Sequence, residues 1–350
     1  MTEYQSVFKS PQAEAAYMTA YDRALEKWPV PYEEKYVPTS YGDTYMIISG
    51  PADREPLILL HGAGSNATHW SLNVAALVQS YRVYALDILG WPGRSKPLKA
   101  HSNRTEYADW LTEVLDALTI KKANMVGYSF GGFFAACCAL EKPERIRKVV
   151  LLAPAATILP FSKEWHLKGT FPGMVAGLAI NVYDINRSLS DALEGSCQML
   201  NVPKEELAKE DEDIAVLIQT FGEETLGEYR KRIDSLLKSS ITNLFAPGNF
   251  REDMYPESFW EILAGIEYGA PVLKFGPYPL PNEDLQKLKT PILLLLGDHE
   301  ILYEADQAIK RAEELVENVQ TAIIPNASHM VNWEQTELVN SHILDFLSGE

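Results

Sequence analysis

Five short runs along the chain are apolar at most positions: PLILLHG from residue 56, YRVYALDILG from 81, ANMVGYS from 123, KVVLLAP from 148 and PILLLLG from 291. Each ends in glycine, serine or proline. A strand that is apolar on both faces must be covered on both, which is the pattern of a parallel sheet between two helical layers. The intervening stretches 73–80, 104–118 and 130–141 predict the helices that parallel pairing needs to cross back. In the second, Tyr107, Leu111, Val114, Leu115 and Leu118 recur at helical spacing. TAIIP predicts a last strand around Ala322–Ile324, followed by a helix from Trp333 to Leu347. Ahead of the first run, Tyr17, Tyr21, Leu25 and Trp28 share one helical face, and Pro29 and Pro31 end that helix. EEKYVP and TYMIISG then predict two strands around the turn Ser40–Asp43. The expected class is α/β, with a mostly parallel central sheet and helices on both faces.

Residues 160–285 break this alternation. They hold helical patterns (Leu207, Ile214, Leu217 and Ile218; Ile233, Leu236 and Leu237) but no apolar run closed by a strand-type loop. The β/α rhythm resumes at Pro291. We therefore expect a core formed by 1–159 and 286–350, with 160–285 inserted as a helical cap over one edge of the sheet. The insertion carries eleven basic and twenty-one acidic side chains, a net −10 of the chain's −17.

That charge narrows the function. With 31 basic against 48 acidic residues, the chain lacks the cationic surface that displaces counterions from a nucleic acid or docks on anionic lipid. No apolar stretch is long enough to span a membrane, and the N-terminus MTEYQSVFKSPQAEAAYM has no signal-peptide pattern, so a soluble cytoplasmic protein is expected. The three cysteines, Cys137, Cys138 and Cys197, are too few for a zinc site, and we expect no metal or organic cofactor.

The chemistry gathers where the apolar runs end. Gly127-Tyr128-Ser129-Phe130-Gly131 lies between an apolar strand and an apolar helix. A serine at such a junction sits on a tight, strained turn with its hydroxyl exposed above the sheet edge, and the flanking glycines let strand and helix approach. Serine needs a base. Of seven histidines, His329 stands in the loop after the final strand, from which an imidazole can reach the serine. His69, His101, His166 and His342 fit surface or packing roles better. The imidazole needs an acid, and Asp298 and Glu300 both follow the run PILLLLG, at the strand edge where catalytic groups of open sheets collect. Order along the chain does not choose between them. An oxyanion would find the backbone N–H of Phe130 at the helix start and that of Ala63 in His61-Gly62-Ala63-Gly64-Ser65. His61 itself reads as an organiser of that loop.

Taken together, His61-Gly62, the stretch Asp87–Ser95 (DILGWPGRS), the elbow at Ser129, Gly297–Glu300 and His329 resemble the α/β-hydrolase superfamily, and in particular its cap-bearing serine hydrolases, over residues 30–350. The resemblance implies Ser129 as nucleophile, His329 as base, and Ala63 and Phe130 as oxyanion donors. In many members the acid stands three residues after the strand-ending glycine and precedes two apolar residues. That position is Glu300, followed by Ile301 and Leu302, although most members carry aspartate there. The nucleophilic serine separates the chain from the branches that use aspartate at the elbow. The reaction so implied is hydrolysis of a small, neutral carboxylic ester. A cofactor-free carbon–carbon bond hydrolase with the same triad, and a ligand receptor on a hydrolase scaffold, are the alternatives. Trp165, Phe171, Phe245 and Phe250 are candidate pocket aromatics, though each could equally pack the cap's own core.

Overall fold

A computed structural model of the protein describes residues 4–8, 10–162, 244–249 and 274–349. Most of the expected cap, with Trp165, His166, Phe171, Cys197 and Phe250, lies outside the described residues. In the rest, helix α1 (Pro11–Glu26) precedes strands β1 (Tyr32–Thr39), β2 (Gly42–Ser49) and β3 (Glu55–Leu60). A 3-10 turn (Ala67–Leu72) and the short α2 (Val74–Leu77) lead to β4 (Tyr81–Leu86) and β5 (Lys96–Pro97). Then come α3 (Arg104–Ala117), β6 (Ala123–Tyr128), α4 (Phe130–Glu141) and β7 (Ile146–Leu152). The chain closes with α5 (Asn282–Lys287), β8 (Ile292–Gly297), α6 (Ala305–Leu315), β9 (Val319–Ile324), α7 (Val331–Glu334) and α8 (Thr336–Ser348).

The strands form one sheet in the order β1-β2-β4-β3-β6-β7-β8-β9, with β5 beside β2. From β4 onward every neighbouring pair is parallel, while β1, β2 and β5 add an antiparallel margin. The two-sided apolar runs are explained by alternation across the pleat. Ile58, Leu60, Met125, Val149, Leu151, Leu294 and Leu296 enter one buried cluster, with residues of α3, α4 and α6. Their neighbours Leu57, Leu59, Val126, Tyr128, Val150, Leu152, Leu293 and Leu295 enter the other, with Tyr17, Tyr21 and Leu25 of α1 and Val339 and Ile343 of α8.

Several elements differ from expectation, among them β5 and α5, which were not foreseen. The helix foreseen over 73–80 is only the four residues of α2: the N–H groups of Gln79 and Ser80 donate three residues back, to Ala76 and Leu77, so the α pattern stops. The helix foreseen from Trp333 is two pieces, α7 and α8, meeting at Gln335. Helix α6 was not foreseen, although Ala305, Ala308, Ile309, Ala312 and Leu315 recur at helical spacing and pack on the first buried cluster. β7 and β8 pair directly although the 160–285 stretch separates them in sequence.

Candidate active site

Four of the parallel strands deliver their following loops to the same edge. Ser129 follows β6 at φ +51°, ψ −114°, a backbone region that L-residues occupy only when the surroundings enforce it. The enforcement is visible. The Ser129 N–H donates to the Leu152 carbonyl (2.9 Å), and the Ser129 carbonyl accepts from Phe133 and Ala155. A methyl group on Gly127 would lie 2.3 Å from the Gly131 carbonyl oxygen, and one on Gly131 would lie 2.2 Å from that of Leu60. Only glycine lets β6, α4 and β3 approach this closely. Phe130 is the first residue of α4, so its N–H has no intrahelical acceptor.

His329 comes from the loop between β9 and α7. Its Nε2 lies 2.9 Å from Ser129 Oγ, and its Nδ1 lies 3.1 and 3.2 Å from the two carboxylate oxygens of Glu300. With Nδ1–H donating to the carboxylate, the Nε2 lone pair faces the hydroxyl and can accept its proton. The Glu300 side chain is fully buried, and Oε1 also accepts the N–H groups of Ile301 and Leu302, both at 2.9 Å. These two bonds curl the longer side chain back toward the imidazole. Asp298 does something else: its oxygens accept the N–H groups of Asn326 and Ala327 at 3.1 Å, tying the end of β8 to the loop that bears His329. The two acids that chain order left open thus have different partners, and Glu300 is the one against the ring.

The loop after β3 closes another side. His61 Nε2 accepts the Ile88 N–H (3.0 Å), which leaves Nδ1–H to donate to the Gly62 carbonyl (2.8 Å). Burial pushes the imidazole down to about 4, so it is neutral and holds two loops together. Gly62 packs against Tyr128 and Ser129: a methyl there would be 2.7 Å from the Tyr128 ring and 3.3 Å from Ser129 Cβ. Ala63, the next residue, is exposed.

Two features escaped the sequence reading. Behind the elbow, Tyr128, His69 and Trp333 form a stack, with ring centroids 4.6 and 4.9 Å apart. His69 is buried and pushed down to about 3, first by burial, and its Nε2 accepts from the Asn332 amide (3.2 Å). It is a neutral packing group. The other is Glu334, whose carboxylate accepts the Ser328 N–H at 2.8 Å, one residue before His329. The only signal is an acid five residues past the histidine, and it falls inside the helix expected from Trp333 to Leu347. Phe245, a pocket candidate, is instead buried in the apolar cluster that contains Met330 and Trp333. Cys137 and Cys138 are buried free thiols raised by burial, Cys138 to about 12, and so resist ionisation. Among the described residues no group of three or more His, Cys, Asp or Glu is placed to hold a metal ion, and no helix is long and apolar enough to cross a membrane.

A family model described as the alpha/beta hydrolase fold matches residues 55–336. The carboxylesterase nap of Bacillus subtilis (strain 168) is 30% identical over 334 residues, covering 95% of this chain and 93% of that relative. The crystal structure of the naproxen esterase (carboxylesterase NP) of Bacillus subtilis superposes with a TM-score of 0.74 at 28% identity, covering 97% of this chain and 99% of its own. Over a shorter stretch, 138 residues or 37% of this chain and 49% of the relative, the 2-hydroxymuconate semialdehyde hydrolase of Pseudomonas sp. (strain CF600) is 37% identical.

Proposed function

Because the chain belongs to the α/β-hydrolase fold family, we propose that it hydrolyses a small carboxylic ester through an acyl-enzyme, with Ser129 as nucleophile, His329 as base and Glu300 as the acid. The observation that carries this reading is one imidazole bonded on one side to a strained serine and on the other to a buried carboxylate. Ser129 Oγ attacks the ester carbonyl carbon while its proton passes to His329 Nε2. Glu300 keeps Nδ1–H in place and stabilises the imidazolium that forms. Negative charge on the former carbonyl oxygen is met by the N–H groups of Phe130 and Ala63. As the intermediate collapses, the alcohol leaves with the proton from Nε2. Water then attacks the acyl group by the same route and frees the carboxylic acid and Ser129.

Esters are favoured over a carbon–carbon substrate because the relatives that align over 95% and 98% of the chain are carboxylesterases, while the 2-hydroxy-6-oxononadienedioate hydrolases align over 84–89% of it. The expected core of 1–159 and 286–350 would carry the machinery, and the 160–285 stretch would roof the substrate. The test is turnover of p-nitrophenyl esters of increasing acyl length beside a vinylogous diketone, with products identified. Release of alcohol and acid from esters, abolished in Ser129→Ala, is the expected result. Cleavage of the diketone alone would replace the ester reading.

A further inference from the structure

Glu334 ends α7, one turn beyond the proposed base, and its carboxylate faces back toward the loop it follows. Oε2 accepts the Ser328 N–H (2.8 Å). Oε1 accepts the Ala246 N–H (2.7 Å) and the Asn249 side-chain amide (3.0 Å). Those last two donors come from a segment inside the 160–285 stretch. The same segment makes further ties to the loop: the Asn249 amide donates to the Asn326 carbonyl (2.7 Å), and the Met330 N–H donates to the Leu244 carbonyl (3.2 Å). Phe245 shares the buried apolar cluster of Met330, Val331 and Trp333. One carboxylate therefore holds the residue before His329 and the segment 244–249 at once.

We propose that Glu334 is a positioning residue for His329, clasping the base loop to the 244–249 segment so that the setting of the imidazole depends on how that segment docks. The proposal rests on His329 being the base. Charge supports it independently of packing. Burial raises the Glu334 carboxyl above the ordinary range, while the Ala246 and Ser328 N–H groups, the Asn249 amide and His329 oppose that rise. The ring of His329 is faced by Glu300 from the loop after β8, by Glu334 from α7, by neutral His69 from the 3-10 turn and by the Tyr128 ring from β6. Glu334 and His329 therefore attract one another through charge as well as through the loop between them.

Glu334→Gln keeps the shape but turns an amide N–H toward a backbone donor. Its kcat on a short-chain p-nitrophenyl ester should fall about thirtyfold with KM within about twofold, since a misplacement of the order of 1 Å at the reacting groups costs up to about a hundredfold. The acid limb of its kcat/KM profile should move down by about half a pH unit, because the imidazolium loses one stabilising anion. A residue that only held the fold together would leave that limb where it was. Should Glu334→Gln not fold, Asn249→Ala loosens the clasp from the other side, and a kcat about threefold below wild type is expected. Wild-type kcat and an unmoved acid limb in Glu334→Gln, or wild-type kcat in folded Asn249→Ala, would overturn the clasp. Retained turnover in His329→Ala would instead remove the reading beneath it.

Discussion

The two loops that meet at Ser129 Oγ are held in opposite ways. The elbow is fixed by backbone and by missing side chains: Gly127 and Gly131 bring strand and helix so close that the serine has no other conformation available. The base loop is fixed by side chains, three carboxylates each accepting backbone N–H groups. Asp298 holds residues 326 and 327, Glu334 holds residue 328, and Glu300 holds the ring itself. A serine secured by steric exclusion does not respond to charge, whereas an imidazole secured by anions does. Substitutions on the two sides should therefore fail differently, one through folding and the other through rate and pH.

The largest effect expected is on the carboxylate against the ring. Glu300→Gln should lower kcat by about a thousandfold or more, since an amide neither fixes the tautomer nor stabilises the cation. Asp298→Asn, which loses only loop hydrogen bonds, should cost about tenfold in kcat and about 1–2 kcal/mol of stability. Equal small losses in both would remove the distinction between these acids. On the other side of the comparison, Gly131→Ala forces a methyl onto the Leu60 carbonyl. A loss of about 3 kcal/mol or more, read as a lowered urea midpoint, is expected.

The pH dependence of stability comes next. His61, His69 and His101 are buried and pushed down to about 4, 3 and 3, so between pH 4.5 and 6 the unfolded chain binds protons there that the native state does not. Asp87, pushed up by burial to about 6, acts oppositely, the native state holding a proton that the unfolded chain has lost. The three histidines outweigh this one acid. Stability should fall as pH drops through that window, with a net uptake of about one to two protons on unfolding and about 1.4 kcal/mol per pH unit for each. A midpoint independent of pH between 4.5 and 6 would mean these groups are not held in the stated forms. The smallest effect concerns substrate charge. With a net charge of −17, neutral esters should turn over a few-fold faster than matched carboxylate-bearing esters at low salt, and the gap should narrow as salt rises.

How far the residues alone reveal this molecule follows the same division. Strands such as β6 and β8 are legible because both of their faces are apolar, and the elbow is legible because its glycines sit beside the serine in sequence. Helix α6 was missed, although Ala305, Ala308, Ile309, Ala312 and Leu315 share the face it packs. The choice between Asp298 and Glu300 rested on position relative to a strand-ending glycine and not on chain order, and it is the tertiary path of the 326–334 loop that gives each its partners. Glu334 was invisible for the same reason: its donors, Ser328, Ala246 and Asn249, are brought together only by folding.

In the proposed reaction the Ser129 oxygen becomes nucleophilic by surrendering its proton to His329. Reaction with a fluorophosphonate, followed by mass mapping of the modified peptide in wild type and His329→Ala, tests it most directly. One phosphonyl group per chain is expected, on Ser129, formed about a thousandfold more slowly without the imidazole. A label on another residue, none on folded protein, or an unchanged rate in His329→Ala would contradict it.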